Sequence, residues 1–217
     1  FVKLVVQCTS HGWSAWIRLP GCQSSGLYPV PQLWQSNGLT GTKNAGFISK
    51  ISRKSIMCFQ KKKYEGVSTA NMANMVWILT GEDGLIDFVR RLVFTILIGN
   101  GDMHLKNWSF VYPDGRNPEL SPAYDFVSTI AYIPSDRLAL NLSGEKNMSA
   151  ITLEHFEKLV TKAGLPEYLV LCAVKETLER ALDKWSENKT NYALPGDILE
   201  RIEKHLAGLR INDWRST

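Results

Sequence analysis

The stretch Ile98-Gly99-Asn100-Gly101-Asp102-Met103-His104-Leu105-Lys106-Asn107 constrains this chain more than any other. An apolar run from Leu92 to Ile98 reads as a buried helix. It meets Gly99-Asn100-Gly101, residue types that tolerate the left-handed conformation and so end a helix. The polar segment that follows holds a carboxylate, an imidazole, an ammonium and a carboxamide. Trp108 to Tyr112 then reads as a strand and Pro113 to Pro118 as a turn. A second lone carboxylate, Asp125, stands behind Leu120-Ser121-Pro122-Ala123-Tyr124. A polar loop held between a buried helix and a hairpin is a place where rigid scaffolds carry catalytic groups.

Charge is divided unevenly along the 217 residues. Residues 1–64 contain nine Lys or Arg and no Asp or Glu, whereas residues 65–217 carry sixteen basic and all 21 acidic residues, a net of −5. The basic residues are scattered among Trp, Cys and Leu, apart from Lys61-Lys62-Lys63, so no nucleic-acid contact is expected from them. Cys8, Cys22, Cys58 and Cys172 have neither zinc-site nor disulfide-framework spacing and read as free thiols of a reducing cytoplasm. No membrane span is expected, because the run to Ile98 falls far short of roughly 20 apolar residues. The chain begins at Phe1 with no signal-peptide layout and reads as a piece of a longer protein.

In the first 64 residues, strands are expected near Phe1–Val6, after Gly26 toward Leu33 and at Ala45–Ser52, with a helix at Trp13–Leu19. Beyond Glu65 the periodicity sharpens. Ser68 and Thr69 cap a helix to about Leu79 with Met72, Met75, Val76 and Leu79 on one face. Thr80–Gly84 breaks it, and Leu85–Ile98 forms a second helix. An irregular region runs from Asp125 to Ala150. Helices follow at Thr152–Ala163, at Glu167–Glu187 with Leu171, Val174, Leu178, Leu182 and Trp185 in one stripe, and at Gly196–Leu209.

An Asn side-chain oxygen with a carboxylate offers hard-oxygen ligation, suited to magnesium held together with substrate phosphates. A carboxylate that is not a ligand can orient a hydroxyl and accept its proton, the division of labour that phosphoryl transfer needs. Asp102, Asn107 and Asp125 supply those groups, and His104 and Lys106 either steady a phosphate or hold the loop. The plain alternative is a turn fixed by Asx hydrogen bonds. A zinc hydrolase built on His104 is disfavoured, because His11, His155 and His205 show no pairing with it.

Gly-Asn-Gly-Asp-Met-His-Leu-Lys-Asn at 99–107 and Leu-Ser-Pro-Ala-Tyr-Asp at 120–125 resemble the two signatures of the HipA-type serine/threonine kinases. That group includes the short HipT toxins of three-gene toxin–antitoxin systems. The resemblance runs from about Lys63 to Leu209 and takes in Lys63–Ser68, Phe88-Val89-Arg90-Arg91 and the helical tail. It implies Asp102 as catalytic base, Asn107 and Asp125 as magnesium ligands, and ATP as nucleotide. Phe1-Val2-Lys3-Leu4 is similar to the strand that carries the phosphate-binding lysine, so Lys3, with His104 and Lys106, would contact the ATP phosphates. The implied fold is α+β and mainly α: a two-lobed kinase with a partial N-lobe at 1–64 and a helical C-lobe at 65–217. The implied setting is a cytoplasmic enzyme acting on a translation protein such as an aminoacyl-tRNA synthetase. Its implied partners are a helix-turn-helix antitoxin and a small third component.

Two features depart from the family pattern. A glycine-rich loop over the phosphates would precede Phe1, and a helix glutamate pairing with Lys3 is expected near Trp13–Leu19, where there is none. Ordinary usage would place about seven acidic residues in such a stretch. The N-lobe therefore reads as truncated, and residues 5–62 as a degraded or mis-framed version of it, with traces at Ala15–Leu19, Ser25–Pro31 and Ile51–Lys54. The alternative to an active kinase is a pseudokinase that binds an antitoxin-type partner. A nucleic-acid binder ranks last.

Overall fold

The computed structural model describes the backbone of residues 3–9, 12–18, 27–34 and 68–216, and the side chains of residues 68–213. Strands β1 (Lys3–Thr9), β2 (Gly12–Arg18) and β3 (Leu27–Trp34) form an antiparallel sheet in the order β1-β2-β3. The register sets Lys3 opposite Arg18 and Thr9 opposite Gly12, and it shifts against β3 between Trp13 and Ala15. The helix expected at Trp13–Leu19 is thus a strand as far as Arg18. A short run rich in Trp, Ile and Ala fits either period, and backbone pairing on both sides decides it. The strand expected at Ala45–Ser52 lies outside the described residues.

Residues 68–216 are mainly helical, and one long helix organises them. Helix α1 (Thr69–Leu97) starts at Ser68, whose Oγ accepts from the Asn71 N–H at 3.2 Å. The break expected at Thr80–Gly84 is a kink within one helix: Gly81 takes φ 66° and ψ −151°, a backbone region open to glycine. Beyond the kink Leu85, Phe88, Val89, Val93 and Ile96 are all but inaccessible. Of the face expected on the first arm, Met72 and Val76 are buried, but Leu79 is 40% exposed because the kink turns the chain next to it.

Helix α2 (Leu153–Ala163) closes at left-handed Gly164, as expected, and Asn74 of α1 caps its end by donating to the Ala163 carbonyl at 2.8 Å. Helix α3 (Glu167–Asn188) buries Val170, Ala173, Val174, Thr177 and Leu178, a stripe rotated slightly from the expected one, against α1. Helix α4 (Gly196–Ala207) follows Pro195. It reaches back to the centre: Arg201 donates to the Ala131 carbonyl at 2.7 Å, and the His205 imidazole lies 2.8 Å from the Ile96 carbonyl. Between α1 and α2 run the short strands β4 (Phe110–Val111) and β5 (Glu119–Leu120), paired Phe110 to Leu120, and then irregular chain to Ala150. No helix among the described residues is long and apolar enough to cross a membrane.

Candidate active site

The turn after α1 is fixed donor by donor. Gly99 takes φ +64°, its N–H bonds the Ile96 carbonyl at 3.1 Å, and the Asn100 N–H bonds the Thr95 carbonyl at 2.9 Å, the paired closure of a left-handed helix end. Asn100 is fully buried, and its Oδ1 accepts from the Asp102 N–H at 2.9 Å. The Asp102 carbonyl in turn accepts from the His104 N–H at 2.8 Å and from Asn107 Nδ2 at 2.9 Å. Asp102 is thereby held through its peptide groups while 54% of its side chain stays exposed.

Asn107 is buried with its amide nitrogen turned to the Asp102 carbonyl, which leaves Oδ1 as the end available to a cation. The His104 ring is buried, with Nε2 3.8 Å from Asp102 Oδ1. Lys106 is exposed, and its carbonyl accepts from the Tyr124 hydroxyl at 2.8 Å. Lys3 opens strand β1, and its side chain lies outside the described residues.

Tyr124 belongs to the second segment, so this bond ties the two halves of the site. Ser121 adds two more ties: its N–H donates to the Ser109 carbonyl at 2.8 Å, and its hydroxyl lies 2.8 Å from that of Ser109. Asp125, next in line, takes φ +60°, a left-handed backbone that a non-glycine residue adopts at a cost on the order of 1–2 kcal/mol. Phe126 behind it is buried, and its ring packs 5.4 Å from Phe94 of α1. Four and five residues past Asp125, the Thr129 and Ile130 N–H groups both donate to the Gly99 carbonyl, at 3.0 and 3.1 Å.

The structure thus brings the segments carrying Asp102, Asn107 and Asp125 into one hydrogen-bonded unit, with His104 beside Asp102. No group of three His, Cys, Asp or Glu suited to a metal occurs among the described residues, so a thiol- or imidazole-rich zinc centre is not found there. Sequence reasoning missed Thr129, Asp136, Ser109 and Ser121. Each is a common loop residue whose partner lies beyond its immediate sequence neighbours, and only the placement of Thr129 just after Asp125 offered a signal.

A family model for the HipA-like C-terminal domain matches residues 48–185. The protein named "Putative kinase Y4dM" of Sinorhizobium fredii is 43% identical over 148 residues, which cover 68% of this chain and 36% of that protein. A second protein of that description, from Haemophilus influenzae, is 40% identical over 73 residues, 32% of this chain and 21% of its own length. Among solved structures, a chain of the Shewanella oneidensis MR-1 toxin–antitoxin complex of HipA, HipB and operator DNA matches with a TM-score of 0.56 at 23% identity. That match covers 70% of this chain and 36% of that one. The matched part therefore spans little more than a third of these relatives at most.

Proposed function

The chain belongs to the family of HipA-like C-terminal domains, and from that premise we propose that it carries the base and metal half of a serine/threonine protein kinase site. In this reading Asp102 accepts the proton of a substrate hydroxyl and aims its oxygen at the γ-phosphorus of ATP. Asn107 Oδ1 and the Asp125 carboxylate are a hard-oxygen pair that fits magnesium. Magnesium bound there with the nucleotide would neutralise charge on the transferred phosphoryl group. Lys3 and Lys106 serve the phosphates, and buried His104 supports Asp102.

What supports the reading is the bonded unit itself: two loops on either side of the β4–β5 hairpin, joined at Tyr124–Lys106 and at Thr129–Gly99, each carrying a carboxylate. The proposed setting is a HipA-type toxin–antitoxin system with a helix-turn-helix antitoxin and, as in the short forms, a third small protein. A translation protein such as an aminoacyl-tRNA synthetase is the proposed target. The test is phosphate transfer from labelled ATP, read beside thermal stabilisation by Mg-ATP. Asp102→Asn should lower transfer by about 10²–10⁴-fold and keep the stabilisation; Asp125→Ala should abolish both.

The pseudokinase reading keeps one specific support, the lack of any acidic residue before Glu65 to pair with Lys3. It requires that saturating Mg-ATP leave the melting point unmoved while an antitoxin-type partner still binds.

A further inference from the structure

The kinase reading names a base and a metal-binding carboxylate; something must keep them in register. Asp125 sits in a strained backbone, and its segment returns to the catalytic turn at Thr129. The Thr129 hydroxyl is the hub. It accepts from the Gly101 N–H at 2.8 Å and bonds the Asp136 carboxylate. It also lies 3.0 Å from the Gly99 carbonyl, but a hydroxyl has one proton, and the charged carboxylate is the stronger acceptor. The Gly99 carbonyl is already satisfied by the Thr129 and Ile130 N–H groups.

Donation to Asp136 polarises the hydroxyl oxygen and strengthens it as the acceptor for Gly101. The approach is close: a Cβ on Gly101 would lie 2.1 Å from Asp136 Oδ2, so glycine at 101 is the residue that lets this carboxylate in. Asp136 is itself oriented, since its Oδ1 accepts from the Arg137 N–H at 2.9 Å. The clamp thus joins the residue immediately before Asp102 to the segment that begins at Asp125.

We propose that Thr129, backed by Asp136, is a positioning residue that locks the Asp102 turn to the Asp125 segment, a role that rests on the kinase reading for its catalytic meaning. Thr129→Val keeps the shape and removes the hydroxyl, Thr129→Ser restores it, and Asp136→Asn keeps the shape and removes the charge. In the full-length protein, Thr129→Val should raise hydrogen exchange at the Gly101 and Asp102 amides about tenfold, the worth of one buried hydrogen bond. It should lower kcat about ten- to a hundredfold through misplacement of the base, leave KM for ATP nearly unchanged and raise the magnesium needed for half-maximal rate. Thr129→Ser should recover protection and rate.

If Thr129→Val fails to fold, Asp136→Asn replaces it, with the same changes in the same direction but smaller. Wild-type protection at Gly101 and Asp102 in whichever variant is read, or a serine variant as impaired as the valine one, overturns the inference. Should the wild-type protein neither bind Mg-ATP nor transfer phosphate, the kinase reading fails. The exchange data would then still decide whether the clamp exists.

Discussion

Replacing Gly99 by alanine tests whether the helix end before the candidate base is as tightly specified as its geometry implies. Two costs add. Gly99 has φ +64°, where a Cβ costs on the order of 1–2 kcal/mol, offset by about 0.4–1 kcal/mol of entropy removed from the unfolded chain. The new Cβ would also lie 2.1 Å from Ile130 Cγ1 and 2.9 Å from Cγ2. Ile130 is 4% exposed, and its N–H is bonded to the carbonyl of Gly99 itself, so it cannot retreat without losing that bond. Overpacking of this kind costs about 1–3 kcal/mol. The sum is about 1–5 kcal/mol, or roughly 2–20 °C in melting point for a domain of this size. Thermal and urea denaturation followed by circular dichroism would read it. Ile130→Ala removes both clashing carbons, so in a double-mutant cycle it should recover about 1–3 kcal/mol of the Gly99→Ala loss relative to additivity. A Gly99→Ala protein within about 0.5 kcal/mol of wild type, or a strictly additive cycle, refutes the reasoning.

Asp125→Gly should be more stable than Asp125→Ala by up to about 1 kcal/mol, the reverse of the order at ordinary backbone angles, because only glycine is at ease at φ +60°. Melting curves of the two variants decide it. Burial pushes the Tyr192 hydroxyl up to about 12, and that buried oxygen has no protein partner where the ring stacks on Trp185. Tyr192→Phe should therefore hold or raise stability, by up to about 1 kcal/mol in urea titration. Burial also holds His205 below its ordinary 6.5, outweighing the Ile96 carbonyl bond. The unfolded chain then binds the proton more readily, so the stability His205 contributes is complete above pH 6.5 and is lost as pH falls through the lower folded value. His205→Gln should flatten that acid-side decline in urea midpoints measured between pH 7.5 and 5.

The helices beyond Glu65 are legible in the sequence because local signals carry them. Ser68 caps α1, Gly164 ends α2 in the left-handed conformation, and the apolar spacing of α3 marks its buried side to within a small rotation. Trp13–Leu19 is misread because its identity as β2 depends on β1 and β3, partners that periodicity cannot see. The exposure of Leu79 has a similar cause: Gly81 bends the helix beside it, and the helical wheel assumes a straight axis. Within the candidate site, Asp102, Asn107 and Asp125 stand out as residue types in a helix-stop and a Pro-Ala-Tyr context. Their support does not, since Thr129 matters through a contact made across 28 residues to Gly101, and Asp136 through its bond to Thr129.

A carboxylate can be fixed in two ways, and this fold uses them in different places. Asp87 is fixed through its charge, by a two-pronged pair with Arg91 one turn along α1. Asp102 is fixed through its peptide groups: its N–H donates to the Asn100 side-chain oxygen, and its carbonyl accepts from the His104 N–H and the Asn107 side-chain amide. Holding the main chain leaves the carboxylate's charge to act on whatever enters. The two kinds of perturbation therefore separate. Asp102→Asn removes the acceptor and keeps its place, whereas loss of the Asn100, Asn107 or Thr129 contacts keeps the acceptor and moves it. If Asp102 is the base, the first lowers rate at every magnesium concentration, and a change at Thr129 lowers it in a way that added magnesium partly restores.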